Sequence, residues 1–72
     1  MEGTLIYNEY EERPDIQKDN GELYGGLHCG DCFQYADAAE PVRLEYNHAA
    51  GEWYLMNQEK PEPIRYNHRV II

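Results

Sequence analysis

Hydrophobic and polar positions alternate with a period of two along most of this chain, the mark of half-buried strands. Val42, Leu44 and Tyr46 interleave with Arg43, Glu45 and Asn47, and beyond His48-Ala49-Ala50-Gly51 the alternation resumes over Glu52-Trp53-Tyr54-Leu55-Met56. This is a hairpin, with Trp53 and Leu55 on the core face and Tyr54 on the other. Pro61 and Pro63 have no backbone N–H, so Pro61-Glu62-Pro63 is expected to end the second strand and force a turn. A last strand then carries Ile64, Tyr66, His68, Val70 and Ile72 on one face, unless a bulge intervenes. Near the start, Thr4 to Tyr7 reads as a strand. Residues 9–21 hold Glu9, Glu11, Glu12 and Asp15 ahead of Ile16 and close on Asp19-Asn20-Gly21, so they read as a long, charged, solvated loop.

Between that loop and the hairpin lies Leu27-His28-Cys29-Gly30-Asp31-Cys32-Phe33-Gln34-Tyr35. Gly30 tolerates the positive φ that re-aims a chain into a strand, which turns Phe33 and Tyr35 toward the core. Strands are expected near residues 4–8, 22–28, 31–37, 41–47, 52–57 and 64–71, with the weakest pattern in 22–28. No stretch carries a helical period. The order of strand, long loop, Gly-Asp strand, hairpin, proline turn and short last strand predicts an all-β fold, a small SH3-like five-stranded barrel occupying residues 1–72 as one domain. Its expected core is Leu5, Tyr7, Leu27, Phe33, Tyr35, Val42, Leu44, Trp53, Leu55, Ile64 and Val70.

The runs Leu27-His28-Cys29-Gly30-Asp31 with Phe33, Val42-Arg43-Leu44-Glu45-Tyr46 and Gly51-Glu52-Trp53-Tyr54-Leu55, with Gly3-Thr4-Leu5-Ile6-Tyr7-Asn8 at the start, resemble a family of small uncharacterised domains. It is a domain-of-unknown-function family of Gram-positive bacteria, often encoded on plasmids, phages and conjugative elements. The resemblance covers most of the chain. It departs at Ala39-Glu40-Pro41, where a Trp usually precedes the Val-Arg strand, which points to a gap in the core or an altered surface there. The resemblance implies a mobile-element accessory protein and carries no activity onto any residue.

Composition then narrows the chemistry. Leu, Ile, Val and Phe number only 13 of 72 residues, and 14 acidic against 6 basic side chains give a charge of −8, which is close to a disordered composition. Seven Tyr and one Trp offset this, because rings bury large areas with few rotors. There is no Ser and the one Thr is Thr4, so a hydroxyl-nucleophile triad has almost nothing to be built from. Gly25-Gly26 lack a following helix to hold a phosphate, and no cofactor motif is present. No apolar run approaches the length that spans a bilayer, so a soluble, cytoplasmic protein is expected. The negative charge disfavours direct binding to nucleic acid or to anionic membranes.

Two groups of residues could carry function. Cys29 and Cys32, in a Cys-x-x-Cys spacing, could in principle complete a zinc site with His48 and His68, but the two histidines are far apart in sequence and form no second knuckle. Reduced, partly buried core cysteines with no bound metal are the preferred reading, and redox catalysis is disfavoured because Asp31 lies between the thiols and the pair heads a strand rather than the N-terminus of a helix. The tyrosines are more suggestive. Tyr10, Tyr24 and Tyr54 are expected at the surface, where Tyr is a frequent hot-spot residue. The chain is therefore expected to be no enzyme and to take no cofactor. It reads as a small binding module for an unidentified protein, using these tyrosines and the acidic loop. The alternatives are an acidic inhibitor or nucleic-acid mimic acting on a basic host protein, and a zinc-stapled structural domain.

Overall fold

The alternating stretches become strands of a single antiparallel sheet. The computed structural model describes residues 1–72, with β1 Glu2–Asn8, β2 Arg13–Lys18, β3 Cys32–Tyr35, β4 Val42–Asn47, β5 Glu52–Asn57, β6 Lys60–Glu62 and β7 Arg69–Ile71, and no helix. The strand order is β2-β1-β7-β3-β4-β5-β6. The short β7 thus lies between β1 and β3 and joins the β1–β2 hairpin to the β3–β6 meander.

Both main hairpins are closed in the same way. Asn8 Oδ1 accepts the N–H groups of Tyr10 and Glu11 at 3.0 and 3.2 Å, and Asn47 Oδ1 accepts those of Ala49 and Ala50 at 3.0 and 3.1 Å. Each loop ends on a residue with positive φ, Glu12 at 53° and Gly51 at 67°. An Asn side chain that imitates a backbone turn explains both starts. In register, Leu44 faces Leu55 and Tyr46 faces Trp53 across β4 and β5, which fits the hairpin expected from the alternation.

The sheet curls so that its two ends approach each other. The Trp53 indole Nε1–H on β5 donates to the carbonyl of Glu12 in the β1–β2 turn at 3.1 Å. Inside the curl lie Leu5, Ile16, Leu27, Phe33, Tyr35, Val42, Leu44, Leu55 and Val70, all buried. Gly3 allows β1 and β2 to meet, since a Cβ there would stand 2.5 Å from the Gln17 carbonyl oxygen.

Several expectations are corrected. The sheet has seven strands and stays open, so it is not a five-stranded barrel. Closure would need free edges on β2 and β6. The outer edge of β2 is already taken by residues 22–27: Lys18 N–H reaches the Glu22 carbonyl at 2.7 Å, Tyr24 N–H that of Ile16 at 2.8 Å, and Leu27 N–H that of Pro14 at 3.0 Å. On β6, Pro61 has no N–H to offer. Residues 22–28 form no strand beyond a bridge between Gln17 and Leu23, because Gly25 and Gly26 turn the chain with φ of 121° and 92°. The supposed loop 9–21 contains β2, in which Pro14, Asp15 and Ile16 are all buried. Pro61-Glu62-Pro63 is not the turn that ends the hairpin's second strand: β5 stops at Asn57, the turn falls at Gln58 and Glu59, and Pro61 and Glu62 lie inside β6. In the last segment only Arg69–Ile71 is strand, since Asn67 at φ 70° interrupts it. Tyr7 is 43% exposed rather than core, its ring packed edge-on against Tyr66 at 5.9 Å. Trp53 and Ile64 are half-buried against the core.

Candidate functional site

Trp53 stands between two depressions in the surface. It packs on its cross-strand neighbour Tyr46 with ring centroids 4.8 Å apart, and Tyr46 packs on His48 at 4.9 Å. The tether from Trp53 to Glu12 fixes this aromatic row against the β1–β2 turn.

Toward β6 lies a groove of about 670 Å³. Its apolar surface comes from Tyr54, Met56, Pro61, Pro63, Ile64 and Tyr66 together with Trp53. The two prolines hold the β6 side of the groove in an extended, side-chain-poor wall. Glu52 and Glu62 border it, and Glu62 accepts a hydrogen bond from Asn57 Nδ2 at 3.1 Å. Burial pushes the Tyr66 phenol up to about 12, reinforced by the neighbouring Tyr7 and Tyr35.

On the other side of Trp53 is a polar cleft of about 580 Å³. Arg13, His28, Cys29, Tyr46 and His48 line it, with Glu11 and Glu12 from the β1–β2 turn. Arg13 Nε is buried without a hydrogen-bond partner. The Cys29 thiol donates to Glu45 Oε1 at 3.2 Å, and Arg43 Nε donates to the other oxygen at 2.9 Å. Together these hold the Glu45 carboxyl below the usual carboxylate range, the thiol having the larger effect.

The tyrosines expected at the surface are spread out. Tyr54 is half-buried and lines the apolar groove. Tyr10, at the tip of the β1–β2 turn, is 99% exposed, and Tyr24, beside β2, is 44% exposed. Neither lines a depression with Tyr54. The sequence reading missed Met56, Pro61, Pro63, Ile64 and Tyr66 as groove walls. Two prolines following a pair of adjacent aromatics are the signal in the sequence that marks them.

Cys29 and Cys32 are both exposed, free thiols rather than partly buried core residues. The Gly30 turn holds them outward: Asp31 N–H bonds the His28 carbonyl at 3.0 Å, and Asp31 Oδ2 accepts the His28 N–H at 2.8 Å. Of the zinc candidates, Cys29 and His48 share the polar cleft, while His68 lies on another face beside Tyr35, with ring centroids 6.2 Å apart. No three His, Cys, Asp or Glu side chains converge as metal ligands.

An open, curled antiparallel sheet with an aromatic ridge between two depressions defines a small all-β domain with one half-buried tryptophan between them. The chain belongs to the family described as "Domain of unknown function (DUF5348)", whose profile matches residues 3–72. It is also similar to a protein from Ruminococcus gnavus, known from a structural-genomics crystal structure, with 38% identity, a TM-score of 0.73 and 100% of both chains covered. No curated protein matches it.

Proposed function

We propose that this domain is a non-enzymatic binding module that captures a protein partner in the groove around Tyr54. The observation that carries the reading is the make-up of that groove, which Trp53, Tyr54, Met56 and two prolines line together. Such aromatic and sulfur-bearing surfaces are typical of the centres of interfaces. Tyr10, Tyr24 and the acids of the β1–β2 turn are peripheral contacts in this reading. The motif resemblance adds a setting, an accessory protein of a bacterial mobile element working in the cytoplasm.

A second reading has its own support. Glu9, Glu11 and Glu12 gather in one exposed turn and none of them has an ion-pair partner, so they could occupy a basic surface as a charge mimic. Capture from lysate on immobilised wild type and variants separates the two. Tyr54→Ala is expected to abolish capture of the retained protein at low and high salt alike, with a nearly unchanged melting temperature. If neutralising Glu9, Glu11 and Glu12 abolishes capture while Tyr54→Ala does not, the charge mimic replaces it. Turnover of a substrate by a defined residue overturns both.

A further inference from the structure

The polar cleft shares only Trp53 with the groove of the protein-capture reading, and one of its walls carries an arginine outside every ion pair. Arg43 meets Glu45 at 2.9 Å, Arg65 meets Asp37 at 3.4 Å, and Arg69 meets Asp19 at 2.6 Å and Glu2 at 3.2 Å. Arg13 has no such partner, in a chain with 14 acidic residues. Glu11 and Glu12 line the same cleft and make no ion pair with it. Arg13 Nε is buried with no acceptor inside the protein, so the guanidinium that lines the cleft is left without a counter-charge from its own chain.

The surroundings define that acceptor. A guanidinium offers parallel N–H donors in a flat fork that fits a carboxylate. One arginine balances one negative charge, and Glu11 and Glu12 at the rim oppose a dianion such as a phosphate monoester. The Tyr46 and Trp53 rings beside it suit a flat, apolar body. We infer that the polar cleft binds a monoanionic carboxylate attached to an aromatic body, with Arg13 holding the carboxylate and Tyr46 and Trp53 against the ring. The ligand is either a small free aromatic acid or the C-terminal carboxylate of a chain ending in an aromatic residue.

Trp53 is the one tryptophan, so its fluorescence reports the cleft directly. Wild type is titrated with benzoate, benzamide, phenyl phosphate, and a short peptide ending in Phe with its C-terminus free or amidated. Saturable change is expected with benzoate or the free-carboxylate peptide, and not with benzamide or the amidated peptide. Benzoate binding assigns a free acid, and binding of the peptide alone assigns a chain terminus. Arg13→Gln and Arg13→Met are expected to weaken binding about tenfold to a hundredfold, the loss of a charge-assisted hydrogen bond. Arg13→Met also removes the orphaned donor, so it should melt at or above the wild-type temperature. The inference is overturned if neither carboxylate binds, if benzamide binds as well as benzoate, if phenyl phosphate binds more tightly, or if Arg13→Met binds like wild type or melts lower. Tyr54→Ala, which tests the other groove, should leave benzoate binding unchanged, so the two readings fail separately.

Discussion

The carboxylate of Asp15 accepts two backbone N–H groups, that of Ile16 at 2.7 Å and that of Gly25 at 3.3 Å, while the residue is only 1% exposed. It ties residues 22–27 to β2 at the point where Gly25 and Gly26 turn the chain. Removing it strands two amides, one of them buried. Asp15→Ala is therefore expected to cost about 1–3 kcal/mol, and Asp15→Asn less, because its amide oxygen still accepts. Urea unfolding midpoints check this, and an unchanged midpoint for Asp15→Ala would show that the amides find other partners. Nothing in the local pattern marks Asp15 for this role. Among Glu9, Glu11 and Glu12 the residue reads as one more solvated acid, and only the tertiary wrap of residues 22–27 distinguishes it. Arg13 was hidden for the same reason, since an unpaired guanidinium is recognisable only once the partners of the other arginines are known.

Legibility differed among elements for physical reasons. The β4–β5 hairpin was readable because one of its faces packs on the core, which imprints a period of two on Val42, Leu44 and Leu55. In β2 that imprint is absent, because Pro14, Asp15 and Ile16 are buried in succession, with the core on one side and residues 22–27 on the other. β6 was hidden by its proline, which an edge strand tolerates and a central one does not. The groove beside β6 was therefore missed along with the strand that forms its wall. The β5–β6 turn carries a local conflict of its own. Gln58 and Glu59 both have positive φ, 50° and 70°, as a type I′ turn requires, yet neither residue favours it. Replacing the pair with Asn-Gly is expected to stabilise the protein by about 1 kcal/mol, seen as a raised urea midpoint. A lowered midpoint would mean that the native side chains contribute contacts outweighing the strain.

For the whole molecule, the charge pattern sets the pH limits. Arg69 holds the Asp19 carboxyl below its ordinary 3.8 mainly through their hydrogen bond, and Arg65 does the same for Asp37. Glu45 is held below its ordinary 4.5, first by Cys29 and then by Arg43. A depressed carboxylate adds stability above its unfolded-state value and loses it as pH falls through the folded-state value. The melting temperature should thus drop as acid is taken below 4.5 and through 3.8. These pairs are exposed, so the drop is shallow. At the alkaline end, Tyr66 is raised from 10.0 to about 12, so the unfolded chain ionises first and stability declines between those values. Tyr66→Phe should flatten that decline in thermal melts. If it does not, the alkaline loss comes from elsewhere, Tyr35 being the other phenol raised by burial.

The position of β7 bears on how the protein is made. Arg69–Ile71 pairs with β1 at Gly3 and Val70 on one side and with β3 at Tyr35 and Val70 on the other. During synthesis the β1–β2 hairpin and the β3–β6 meander emerge well before the strand that joins them. Until β7 arrives, the facing edges of β1 and β3 are open to other chains. A nascent chain held before Arg69–Ile71 is added has both of these units and two unsealed edges, a natural substrate for chaperones or proteases.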